Sequence, residues 1–155
     1  MRDRLLTSVH TTLLAAWLGM AGIVAFAVAP AAFQALPTRS AAGSFVGGIL
    51  RAVYVAALVA GIGSAVVVRL RRGKRATVRT ALAAALAITG GTSLGLAMKI
   101  ASLREALGPI DALPADDPGR RMFGALHGVS VLVLFAGMLA ALAAIALESR
   151  TDASA

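Results

Sequence analysis

The chain has 155 residues, 59% of them hydrophobic and 14% charged, and no cysteine. Soluble domains carry about 25% charge, so the composition argues against a soluble domain and for lipid as solvent. The missing cysteine excludes disulfides, thiolate metal sites and cysteine nucleophiles. The formal charge of +8 would suit nucleic acid if spread along a groove or helix face. Instead six of the fifteen Lys and Arg residues crowd into RLRRGKRATVR at 69–79, so no nucleic-acid partner is expected.

The first apolar span covers residues 5–36. No charge falls between Arg4 and Arg39, and the run exceeds the roughly 7–15 apolar residues of a signal peptide, so a retained span is expected. Pro30 lacks an N–H and should kink the helix, releasing the carbonyl of Phe26. Ala15, Gly19 and Gly22 share a face on which another helix could pack closely. Trp17 lies too deep for the interfacial belt and is read as packing inside the bundle.

Pro37 to Ser40 reads as a tight turn with Ser40 as N-cap, which makes spans one and two antiparallel neighbours. Span two, residues 42–68, carries Gly43-x-x-x-Gly47 and Ala57-x-x-x-Gly61. The basic stretch 69–79 follows as a loop, then span three at 80–98 with Gly91-x-x-x-Gly95. Its helix is expected to run past the membrane, with Ile100, Leu103 and Leu107 on one face and Arg104 and Glu105 pointing elsewhere. Gly108-Pro109 ends it, within a second loop spanning 99–121. Asp117 and Pro118 read as N-cap and first helical position. Span four covers 122–147, and residues 148–155 read as a short polar tail. The expected architecture is a single domain, 1–155: an all-α integral membrane four-helix bundle of two antiparallel hairpins.

Nine bases fall at the termini and in the 69–79 loop; the other six are Arg39, Arg51, Lys99, Arg104, Arg120 and Arg121. Basic loops stay inside, so both termini are expected in the cytoplasm and the protein in the inner membrane, multi-pass.

Arg51 is the residue least at home in its span, about 13 Å along the helix if that begins near Ala42. An intramembrane charge is a functional candidate; the alternative is snorkelling to headgroups or to the acidic loop. Gln34, Lys99 and His127 fall in the same outer half, one from each remaining span. Together with Arg51 they either line an outward-facing polar pocket for a small anion or lipid headgroup, or are ordinary helix-end groups. His10 and His127 lie near opposite faces, so they cannot supply both axial imidazoles to one haem within a subunit. No carboxylate pair inside a span, HExxH or Walker loop is present, so no enzyme is expected.

Several features in order resemble a family of small four-helix membrane proteins. They are Trp17-Leu18-Gly19, Ala29-Pro30-x-x-Phe33-x-x-Leu36, Ala42-Gly43-x-x-x-Gly47 with Tyr54, Leu103-Arg104, and Phe123-x-x-Leu126-His127-x-x-Ser130. The family is the bacterial relatives of the cisplatin-resistance-associated transmembrane protein, a domain of unknown function. Lys99-Ile100 departs from its pattern, which has a proline there. The resemblance implies a four-span bundle and a link to metal-drug tolerance, with no established reaction. Its recurring residues correspond to Pro30, Phe33, Gly43, His127 and Ser130; Trp17, Gly47 and Phe123 join them as structural positions.

The leading expectation is therefore a non-enzymatic membrane protein that holds a small polar or lipid ligand through Gln34, Arg51, Lys99, His127 and Ser130, without a cofactor. Expected partners are membrane lipids and a second copy or another membrane protein. A haem- or quinone-binding redox protein and a subunit of an oligomeric transporter or channel are the alternatives.

Overall fold

A computed structural model describes residues 1–70 and 76–152, the last four without their side chains. The four apolar runs are four helical rods. The first comprises α1 (Arg2–Ile23), a π-helical turn (Val24–Val28) and α2 (Ala29–Ala35). The others are α3 (Arg39–Leu70), α4 (Ala76–Leu107) and α5 (Pro118–Asp152), with a 3₁₀ turn at Ile110–Ala112. Each rod is long and apolar enough to cross a membrane. The rods run antiparallel around a ring, α1–α3–α4–α5, so one end carries the start of α1 and the end of α5, and the other carries the turn at 36–38 and the loop at 108–117.

The helices outlast the apolar runs that identify them. α3 and α4 have 32 residues each, about 48 Å at 1.5 Å per residue, against a hydrocarbon core of about 30 Å. The 69–79 loop therefore shrinks: Arg69 belongs to α3 and Arg79 to α4, while residues 71–75 lie outside the described residues. The 99–121 loop shrinks to 108–117. Gly108, at φ +71°, ends α4 in the left-handed region that glycine enters without strain. Asp117 Oδ1 accepts from the Gly119 and Arg120 amides at 2.8 and 3.0 Å, capping α5 with Pro118 at its first position.

At the first turn the cap differs from expectation. Thr38 Oγ1 accepts the Ala41 amide at 3.0 Å, and Ser40 lies inside the helix. The irregularity at Pro30 takes the form of a π turn upstream: the Ala29 amide reaches five residues back to the Val24 carbonyl, and α2 then continues to Ala35.

The core joins all four rods through Leu14, Trp17, Ala21, Val53, Ala57, Leu86, Leu134 and Ala144, all under 10% exposed. The Trp17 indole N–H donates to the Val53 carbonyl at 3.0 Å, whose second lone pair is available beyond the helix's own bond. The closest backbone approach joins α3 to α4. A Cβ on Gly61 would fall 2.5 Å from the Ala87 amide, and one on Gly90 would fall 2.8 Å from Ala57 Cβ. The packing glycine of α4 is thus Gly90; an added Cβ meets nothing within 4 Å at Gly95 and only Leu58 at Gly91. Likewise α1 turns Leu14, Trp17 and Ala21 inward, because bulky side chains fill the bundle. An added Cβ at Gly19 or Gly22 meets nothing within 4 Å, and Ala15 and Gly19 lie exposed, so that face packs on no helix among the described residues.

Candidate functional site

At the loop end the ring opens into a cleft of about 640 Å³ between α3, α4 and α5, with Phe33 of α2 on one edge. This is within the usual range for small-molecule pockets. Along α3 it extends from Arg39 to Tyr54, about 22 Å of helix. The buried end is apolar, with Leu50, Ala97 and Leu134 beside the Tyr54 hydroxyl, which lies 3.3 Å from Ser130 Oγ. The upper part is cationic: Arg39, Arg51, Arg104 and Arg120 line it, against the carboxylates of Glu105 and Asp111.

Asp111 is already engaged. Its Oδ2 accepts the Ser40 amide at 2.8 Å, bringing a negative charge to the α3 N-terminus, where the first amides lack helical partners. That hydrogen bond holds the Asp111 carboxyl below the usual carboxylate range, and the charges of Arg39 and Arg120 act in the same direction. Arg120 also donates to the Leu113 carbonyl at 2.7 Å.

Arg104 is the best-positioned cation. Its Nη1 donates to Ser44 Oγ at 2.9 Å, and its guanidinium carbon stands 5.2 Å from the centroid of the Phe123 ring. Phe123 lies parallel to His127, centroids 6.3 Å apart. α3 leaves room for the guanidinium only because residue 43 is glycine: a Cβ there would lie 2.7 Å from Nη2. Among the described residues no carboxylate lies within 4.0 Å of Arg104 or of Arg51. The Arg104 Nε is buried without a hydrogen-bond partner. The cleft therefore holds an oriented, stacked guanidinium with spare donors, a group suited to a planar or tetrahedral anion.

Of the residues named from the sequence, Arg51, His127 and Ser130 line the cleft, with Phe33, Gly43, Gly47 and Phe123. Gln34 and Lys99 are exposed and lie outside it. Arg104 and Glu105, expected to point elsewhere, line it instead, because at this level α4 faces a polar opening and not the core. Pro30 and Trp17 lie outside the cleft.

A family model described as a domain of unknown function, DUF4149, matches residues 12–107, more than half of the chain. The chain belongs to the DUF4149 family. The match carries no function, and the cisplatin-resistance name of the resemblance is not part of it. No curated protein and no solved structure matches the chain. Within this DUF4149 protein the match covers the α3 and α4 walls of the cleft, with Gly43, Arg51 and Arg104. α5, which brings Phe123, His127 and Ser130, lies beyond it.

A second polar cluster lies at the termini end. Glu148 is only 4% exposed, inside α5 and not in a polar tail. Its Oε1 stands 3.2 Å from Arg79 Nε of α4 and 3.7 Å from His10 Nε2 of α1. His10 and Arg79 are likewise buried. Three helices thus contribute one ionisable group each to a buried site, where an ion pair persists only with close geometry. His10 and His127 lie at opposite ends of the bundle, so one subunit does not present both to a single haem.

Proposed function

We propose that this DUF4149 protein is a non-enzymatic inner-membrane protein that binds an anionic group, a small anion or a lipid headgroup, in the loop-end cleft. The observation that carries the proposal is the Arg104 guanidinium. It is fixed by Ser44, stacked over Phe123 and seated against Gly43, with no carboxylate within 4.0 Å among the described residues. A half-buried cation costs desolvation energy, and an anionic ligand would offset it with charge-assisted hydrogen bonds. Arg69 and Arg79, the described basic residues that bound the 69–79 stretch, lie at the opposite end and support an outward-facing cleft by the positive-inside rule. The link to metal-drug tolerance rests on the resemblance alone.

The test is native mass spectrometry of the protein extracted with its own lipids. Wild type should retain an anionic adduct, Arg104→Gln should lose it, and Lys99→Gln, altered outside the cleft, should keep it. Equal retention by all three would overturn the reading.

A further inference from the structure

We infer that the cleft is entered sideways from the bilayer and takes an anionic phospholipid, not a dissolved anion; this rests on the anion-binding reading above. The first rod and α5 are held together by Trp17, which an added Cβ at Gly137 would meet at 3.4 Å. Nearer the loop end the Phe26 and Phe135 rings also meet, edge to face at 6.0 Å. After the π turn, α2 packs on α3, with Ala32 buried beside Ala42 and Val46, while α5 packs on α4 through Arg104 and Phe123. Between α2 and α5, which scarcely touch, the proposed entrance has Phe33 on one lip and Val131 on the other, both of them lining the cleft.

Both lips are exposed and apolar, at 47% and 38%, and neighbouring Leu132 and Phe26 are exposed as well. A slot bordered by such side chains in a membrane-spanning bundle opens to acyl chains. Past the lips the cleft has two regions at different depths. Leu50, Ala97 and Leu134 form an apolar pocket, and the Arg104 guanidinium lies toward the loop end, where headgroups lie. A lipid places its tail against the lips and its phosphate at Arg104 without crossing water. A soluble phosphate satisfies the guanidinium and leaves the apolar region wet.

The test compares two probes on purified protein in neutral detergent: dihexanoyl phosphatidylglycerol and glycerol phosphate. The lipid should bind at least about a hundredfold more tightly. Val131→Trp, which crowds one exposed lip, should weaken the lipid about tenfold and leave glycerol phosphate unchanged; Val131→Phe should do so less. Equal affinity for both probes, with no effect of either Val131 variant, would overturn lateral entry and leave the anion site standing. Binding of neither probe, or binding of both untouched by Arg104→Gln, would overturn the anion site and the portal together.

Discussion

Gly43 of α3 and Arg104 of α4 fit together by subtraction: the guanidinium Nη2 occupies space that a Cβ would approach to 2.7 Å. The obstructed atom is the tip of a flexible side chain, so Gly43→Ala should displace Arg104 without separating the helices. Anionic-lipid affinity should fall about tenfold, roughly 1.4 kcal/mol, with the unfolding midpoint nearly unchanged. Gly48→Ala, outside the cleft lining and with nothing within 4 Å of an added Cβ, should leave binding intact. Isothermal titration with a short-chain anionic lipid distinguishes the two.

The α3–α4 seam responds differently. An added Cβ at Gly61 meets backbone atoms of Ala83 and Ala87 within 3 Å, which cannot rotate away. Gly61→Ala should cost about 1–3 kcal/mol through overpacking. Gly95→Ala enters open space and should stabilise slightly through helix propensity, by up to about 1 kcal/mol. Thermal unfolding of both variants in one detergent checks the ordering.

At the termini end, Glu148→Gln leaves the buried Arg79 without its carboxylate and should destabilise by about 3–5 kcal/mol. Adding Arg79→Met to that variant should recover most of the loss, because both partners are then neutral. A double-mutant cycle measures the coupling; a value near zero would mean that the pair at 3.2 Å contributes nothing net.

The Asp111–Ser40 contact gives the loop end an acid dependence. The folded-state pKa of Asp111 is depressed, so its contribution is present above the unfolded value of about 3.9 and is lost as pH falls through the folded value. The unfolding midpoint of wild type should exceed that of Asp111→Asn at neutral pH. The gap should close below about pH 4 and not on the alkaline side.

The four spans were legible because lipid demands uninterrupted apolar runs, and only helices or closed barrels satisfy the backbone there. Helix ends were less legible: hydropathy marks the apolar run, whereas α4 continues past Lys99 and Arg104 to Leu107. Helical periodicity puts Arg104 on the wrong face because it assumes an apolar interior, and at the loop end the interior is a cleft lined by Arg104. Glu148 follows the last apolar residues and so resembles a tail; its partners, His10 and Arg79, sit on two other helices and leave no local trace. Small-residue spacing located a stripe on α4 but not the glycine that meets α3, since a neighbour's position is not written in one helix. Arg51, His127 and Ser130 could be named from polarity within apolar spans, whereas Gln34 and Lys99, chosen on the same ground, face outside the cleft.

The central claim is that the loop-end cleft holds an anionic headgroup at Arg104. Its most direct test is photocrosslinking with an anionic phospholipid carrying a diazirine near the headgroup, mapped by peptide mass spectrometry. The account predicts adducts on the loop-end segments of α3 and α5 that disappear in Arg104→Gln and persist in Lys99→Gln. Adducts concentrated on termini-end peptides, or unchanged by Arg104→Gln, would contradict it.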